Sequence, residues 1–203
     1  ISEANSKGWQ FHQLDVRSAF LNAKLEENVS LKIPQGMNED NNKVLKLNKA
    51  IYGLKQAPLA WYNTIAGYLT SINFHTSSAD PCIFYRKGDN PIWIYLHVDD
   101  LAVFGKNIDN FKIQIKEKFD MKDSGSASFL LGMKINQSET SITLSQEAYI
   151  LSILNQYKIS PNDHSNTPLE PNLKINIATE DERKEFQALN ENFRKLVGSF
   201  NYL

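Results

Sequence analysis

Residues Ile92–Gly105 read I-W-I-Y-L-H-V-D-D-L-A-V-F-G, and the rest of the chain can be arranged around them. Ile92, Ile94, Leu96 and Val98 alternate with Trp93, Tyr95, His97 and Asp99, the period of two expected of a strand. After Asp99-Asp100 apolar residues resume at Leu101, Val103 and Phe104, then stop at Gly105. The simplest geometry is a β-hairpin with two adjacent carboxylates at its tip. Two like charges about 4 Å apart, at an effective dielectric near 20, repel by roughly 4 kcal/mol, so such a pair favours a bound cation. A plain polar turn also accommodates Asp-Asp, because Asp is a common turn residue.

The totals are compatible with an enzyme and give no support to a generic basic nucleic-acid binder. The chain has 203 residues, 41% hydrophobic and 11% aromatic, ample for a core. Its 22 basic and 23 acidic residues leave a net charge of −1. The lone Cys82 excludes an intramolecular disulfide and reads as a small hydrophobe rather than a nucleophile. There is no secretory signal and no apolar run long enough to span a membrane, so an intracellular compartment is expected. The abrupt ends, Ile1 and Tyr202-Leu203, suggest a piece of something longer.

In chain order, Ile1–Lys7 reads as a helix end closed by Gly8, and Trp9–Val16 as a strand. Asp15 then lies near that strand's end, among Leu14, Val16 and Phe20, as a helix cap or a metal ligand. Val29–Ile33 and Val44–Leu47 are short strands separated by a polar loop, Met37–Asn42. Pro58 opens a strong helix in which Trp61, Ile65, Tyr68, Leu69 and Ile72 share an apolar face. The strand within Phe74–Arg86 should pair with Ile92–Val98. Ile108–Phe119 is an amphipathic helix on Ile108, Phe111, Ile115 and Phe119, broken by Met121–Ser126. Phe129–Ile135 and Ser141–Leu144 are expected to form a hairpin, Ala148–Tyr157 a helix, Ser160–Lys174 a loop and Glu180–Leu203 one final helix. Mixed helices and strands without regular βαβ repeats give an α+β fold class.

Asp15, Asp99 and Asp100 together make a coherent metal hypothesis. Hard carboxylate oxygens suit Mg²⁺, and two such ions can clamp the attacking and leaving oxygens of a phosphoryl transfer. No His or Cys cluster has zinc spacing, and neither a Walker lysine motif nor a Gly-x-Gly-x-x-Gly loop occurs.

Five stretches carry a resemblance: Q-L-D-V-R-S-A-F-L-N at Gln13–Asn22, K-L-N-K-A-I-Y-G-L-K-Q-A-P-L-A-W-Y at Lys46–Tyr62, H-V-D-D at His97–Asp100, F-L-L-G-M-K-I at Phe129–Ile135, and F-R-K-L-V-G-S-F-N-Y-L at Phe193–Leu203. In this order they resemble copia-type LTR-retrotransposon reverse transcriptases, over nearly the whole chain. The resemblance implies a right-hand polymerase: residues 1–145 as palm, a ferredoxin-like antiparallel sheet with packed helices, together with part of the fingers. Residues 146–203 would be a helical segment beginning the thumb/connection. It implies RNA- and DNA-templated DNA synthesis, with two Mg²⁺ (Mn²⁺ also accepted), dNTP and a primed template.

By the same resemblance Asp15, Asp99 and Asp100 are the catalytic acids and, with the Val16 carbonyl, the metal ligands. Phe20 matches the aromatic that excludes a sugar 2′-hydroxyl, although a core phenylalanine beside a strand end reads the same way. Tyr52, Gly53, Lys55 and Gln56 match the turn against the incoming nucleotide; Lys55 alone reads equally as a solvated lysine. Lys122 resembles the lysine that protonates pyrophosphate. Leu131, Gly132 and Met133 resemble the primer grip, and His97 faces the primer; a buried hairpin with a close-packing glycine is the plainer reading of the former.

Three residues depart from the family pattern. His97 stands for a usual tyrosine, Leu59 for a frequent arginine and Ala23 for a common glycine. Family members continue upstream into basic fingers and downstream into the rest of the thumb/connection and RNase H within a Gag-Pol-type polyprotein, without a membrane span. Their expected location is the cytoplasm, in a virus-like particle, or the nucleus. The alternative is an inactive transposon-derived relic that folds and binds nucleic acid or a partner without polymerising.

Overall fold

The computed structural model describes the chain except residues 38–42, 139, 161, 164, 168, 170–171, 175 and 189–191. It divides into two compact units, Ile1–Leu130 with Ile135–Thr143, and Leu131–Lys134 with Leu144–Leu203. Helices and antiparallel strands mix without a βαβ repeat, as the residue pattern predicts.

The first unit begins with α1 (Ser2–Ser6), closed by Gly8 at φ +59, and β1 (Gln10–Val16). A 3₁₀ turn at Ala19–Asn22 and two short paired strands, β2 (Ser30–Lys32) and β3 (Val44–Lys46), lead to α2 (Ala57–Ser71). The expected loop before β3 lies, apart from Met37, outside the described residues. Then come β4 (His75–Thr76), β5 (Ile83–Arg86), β6 (Ile92–His97), β7 (Asp100–Gly105), α3 (Asp109–Lys118) and β8 (Met121–Ser126). These strands form a six-stranded antiparallel sheet in the order β4-β5-β6-β7-β1-β8.

Alternation gives this sheet two faces. Leu14, Val16, Leu101, Val103, Ile92, Ile94, Leu96 and Phe84 point into one core with Trp61, Ile65 and Leu69 of α2 and Phe111 and Ile115 of α3. Pro58 in the first turn of α2 starts that helix, and the four-residue spacing of Trp61, Ile65 and Leu69 buries one stripe of it. Phe11, Ala102 and Phe104 point the other way and pack with Ala4, Trp9, Ala127, Leu130 and Ile135. That second cluster stops short of the hairpin tip, so Gln13, Asp15 and Asp100 share its face without being covered by it.

Three sequence expectations are corrected. Met121–Ser126 follows the end of the helix as expected, but as a strand, β8, paired with β1. Its polar residues have no strand-like apolar pattern, and the pairing rests on ladder hydrogen bonds and on Asp123, which accepts from Lys112 and Lys116 of α3. Phe129–Ile135 is not one strand. It is β9 (Phe129–Leu130) and β10 (Met133–Gln137), separated by Leu131 at φ 50 and Gly132 at φ 78; the expected pairing with the later stretch is present, between β10 and β11 (Ile142–Ser145), in a three-stranded sheet. Glu180–Leu203 is not a single helix but α5 (Glu180–Ala188) and α6 (Phe193–Tyr202). The Asn192 side chain accepts from the Lys195 N–H and starts a new helix there.

The second unit also contains α4 (Glu147–Gln156). Tyr202 organises it: its hydroxyl donates to the Leu131 carbonyl at 2.6 Å, its carbonyl accepts from Gln146, and its ring meets Tyr149 edge-on at 4.8 Å.

Candidate active site

The acid hairpin is tighter than its sequence suggests. His97 pairs with Asp100, so the two-residue loop is Val98-Asp99; Asp99 occupies the turn and Asp100 already belongs to β7. Such loops need a positive φ at a central residue, usually supplied by Gly or Asn. Here Val98 takes it, at φ 57, a conformation that costs a β-branched residue on the order of 1–3 kcal/mol. Two hydrogen bonds hold the tip: the Trp61 indole N–H donates to the Val98 carbonyl at 2.6 Å, and the Val16 N–H to the Asp99 carbonyl at 2.8 Å.

Asp100 lies directly opposite Asp15 across the β1–β7 ladder, and Lys122 opposite Asp15 across the β1–β8 ladder. Opposed residues of an antiparallel pair share a face, so Asp15, Asp100, Lys122, His97 and Gln13 project together. Asp15 is not a helix cap, since Ser18 precedes the 3₁₀ turn and neither residue's side chain caps it. Burial first, then the charges of Asp100 and Asp99, push the Asp15 carboxyl above its ordinary value, against the lowering effect of Lys122 and Arg17. Among the described residues, none of the three carboxylates forms an ion pair.

Neutral donors engage two of them. The Tyr52 hydroxyl donates to Asp99 Oδ2 at 2.9 Å, and the Gln13 amide to Asp100 Oδ1 at 3.0 Å. Burial and the bond to Asp99 raise the Tyr52 pKa, which keeps its proton in place. The Tyr52 ring lies 4.3 Å from that of buried Phe20, tying the Tyr52 turn to the segment after Asp15. Gly53 turns the chain there at φ 92, Lys55 is exposed, and half-buried Gln56 precedes α2. A cavity of about 430 Å³ opens beside Gln56, lined by Asn22, Lys24, Glu26, Glu27 and Leu59 rather than by Asp15, Asp99 or Asp100.

The donor set suits a hard divalent cation in kind: three carboxylates with no ion pair among the described residues, the Asp15 proton affinity raised by burial and by the other two acids. It is not yet assembled as a set. Among the described residues, no three of His, Cys, Asp or Glu are disposed to hold a metal ion; Asp99 and Asp100 accept from Tyr52 and Gln13.

Other expected site residues stand as follows. His97 is exposed beside Tyr95, with ring centroids 6.3 Å apart. Leu131, Gly132 and Met133 belong to the second unit, at the turn held by Tyr202. Leu59 is exposed, Ala23 fully buried. Cys82 is half-buried, and burial and Asp80 push its thiol up, away from nucleophilic thiolate. Sequence reasoning missed Gln13 as an Asp100 partner, although a strand's period of two places it on the Asp15 face. It also took Trp61 as core alone.

Residues 1–171 match the family model described as reverse transcriptase (RNA-dependent DNA polymerase). The chain belongs to this reverse transcriptase family. It is 38% identical over 184 residues to the retrovirus-related Pol polyprotein from transposon TNT 1-94 of Nicotiana tabacum, covering 86% of this chain and 14% of that protein. Identity to the Pol polyprotein from transposon RE1 of Arabidopsis thaliana is 32%, over all of this chain and 14% of the relative. A transposon Ty5-1 protein of Saccharomyces cerevisiae is 36% identical over 77% of this chain and 53% of its own length. The copia-type resemblance is thus shown, and this reverse transcriptase domain spans about a seventh of the two Pol polyproteins, 14% in each case.

Proposed function

We propose that the chain is the palm of a templated DNA polymerase, with part of the fingers and the start of the thumb/connection, extending a primer on RNA or DNA from dNTPs. The observation that carries this reading is the pairing of Asp15 with Asp100 across adjacent strands, with Asp99 in the turn beside them, in a chain of the reverse transcriptase family. Asp15, Asp99, Asp100 and the Val16 carbonyl are the residues that would hold two Mg²⁺ ions, or Mn²⁺. Such ions supply Lewis-acid chemistry when bound, acidifying the primer hydroxyl and offsetting charge on the departing pyrophosphate.

The chain's own residues account for the rest. Asp99 and Asp100 now accept from Tyr52 and Gln13, and would give up those bonds to hold the ions. Phe20, fixed by burial and by the Tyr52 ring, presents a wall against a sugar 2′-hydroxyl. Tyr52, Gly53, Lys55 and Gln56 lie against the nucleotide, and exposed Lys122, opposite Asp15, gives a proton to the leaving pyrophosphate. His97, Leu131, Gly132 and Met133 hold the primer. The remaining parts of a Gag-Pol-type polyprotein, RNase H among them, are supplied by the longer protein.

Primer extension on an RNA template with Mg²⁺ and dNTPs tests the reading. Asp99→Asn should lower extension at least about 10³-fold, a large share of what charge stabilisation contributes to a transition state. Extension unchanged by Asp99→Asn overturns the assignment of the acids. A second reading, a folded chain that binds without polymerising, is favoured by one observation: Asp99 and Asp100 are engaged by neutral donors. It predicts no extension together with salt-sensitive binding of a primed template.

A further inference from the structure

We propose that Trp61 is a positioning residue for the acid hairpin: its indole N–H, held in the core by α2, fixes the peptide carbonyl that aims Asp99. The inference rests on the assignment of Asp99 to metal binding given above.

Val98 sits in the left-handed region at φ 57, where a β-branched side chain is unstable unless its surroundings impose it. The turn offers little of its own to impose it. Val98 is 42% exposed, and the strand pairing ends at His97 and Asp100. Trp61 is the rigid neighbour: it is 1% exposed, lies two turns or less from the start of α2, and packs edge-on against Phe119 at 5.2 Å and 82°. From that fixed base its Nε1–H reaches the Val98 carbonyl at 2.6 Å. The orientation of this carbonyl sets the plane of the Val98–Asp99 peptide, and hence the direction in which the Asp99 side chain leaves the turn. On the other side the Val16 N–H grips the Asp99 carbonyl at 2.8 Å. The tip is therefore clamped from α2 and from the Asp15 strand together, and breaking one grip loosens the spacing of Asp99 to Asp15.

Trp61→Phe keeps an aromatic ring against Phe119 and deletes the donor. Amide exchange by NMR should show Val16, which depends on the Asp99 carbonyl, opening about tenfold faster, the scale of one lost buried hydrogen bond. Amides of α2 and α3 should keep their wild-type rates. Mn²⁺ affinity, followed by the paramagnetic resonance of the free ion, should fall at least about threefold. Val16 exchange and Mn²⁺ affinity both within twofold of wild type would overturn the proposal, as would acceleration spread evenly over α2 and α3, which reports lost packing alone. If the variant does not fold, the unaltered chain decides. Its Trp61 indole proton should exchange at least about tenfold more slowly than those of Trp9 and Trp93, which donate to no protein acceptor among the described residues. Equal rates overturn the clamp. A wild-type chain without Asp99-dependent Mn²⁺ binding would instead remove the proposed function, while the exchange measurements still judge the clamp.

Discussion

At the scale of the residue, the acid tip is held by more than its carboxylates. Val98 is the clearest case, a valine where Gly or Asn is the usual solution. Val98→Asn, which tolerates the left-handed region, should raise stability by about 0.5–1 kcal/mol in urea denaturation. The His12 ring nitrogen Nδ1 meets the Lys112 ammonium at 2.6 Å, so the imidazole is neutral and accepts. Burial and then Lys112 lower the His12 pKa, against smaller raising effects of Asp123 and Asp109. Asp123, gripped by Lys116, the Gly125 N–H and Lys112 against its own burial, lies well below the usual carboxylate range. Both groups bind protons more readily in the unfolded chain, so their stabilisation is full above their unfolded pKa values. For His12 it is lost as pH falls below about 6.5 and through its lowered folded value. Melting temperature should therefore drop as pH is lowered from 7 to 5, and His12→Gln should flatten that part of the profile.

At the scale of the element, two turns show what a residue pattern can and cannot specify. The alternation in Ile92–Val98 predicted the hairpin with its partner β5, because one buried face imposes a period of two. The same reasoning did not reveal β8, since Lys122, Asp123, Ser124 and Gly125 carry no apolar alternation. What makes β8 a strand is its neighbour, β1, and the lysines of α3 that neutralise Asp123. Asp123→Asn should destabilise the fold by about 1–3 kcal/mol, because buried Lys112 loses its counter-charge while beside His12. The turn between β9 and β10 was hidden inside an apolar run. Gly132 makes it possible, at φ 78 with the Tyr202 hydroxyl 2.7 Å from where a Cβ would stand. Gly132→Ala should cost about 1–3 kcal/mol by strain and by displacing Tyr202, visible as faster amide exchange in the second unit.

At the scale of the whole molecule, the sheet face packed on α2 and α3 holds the larger of the two buried clusters. Phe111→Ala there should cost about 3–5 kcal/mol. The opposite face leaves its acidic end open, and three carboxylates with no ion pair among the described residues predict a cation-dependent melt. Mg²⁺ at about a hundredfold excess over its dissociation constant should stabilise the chain by about 2.7 kcal/mol. Asp99→Asn should erase that gain, read by calorimetry with and without chelator.

The sequence by itself determined the family, the α+β class, the acid hairpin and the helices on the buried face. Periodic burial and five ordered motifs are local properties, written in the order of residues. It also named Asp15, Asp99 and Asp100 as one group, although the pattern left their partners open. Only the tertiary structure decided which of the acids stands in the turn, that Lys122 faces Asp15 from a strand of its own, and that Tyr52, Gln13 and Trp61 contact the acid hairpin. Those contacts join residues far apart in the chain, through hydrogen bonds that leave no periodic trace. They exist because packing brings α2, β1 and the hairpin tip to one place.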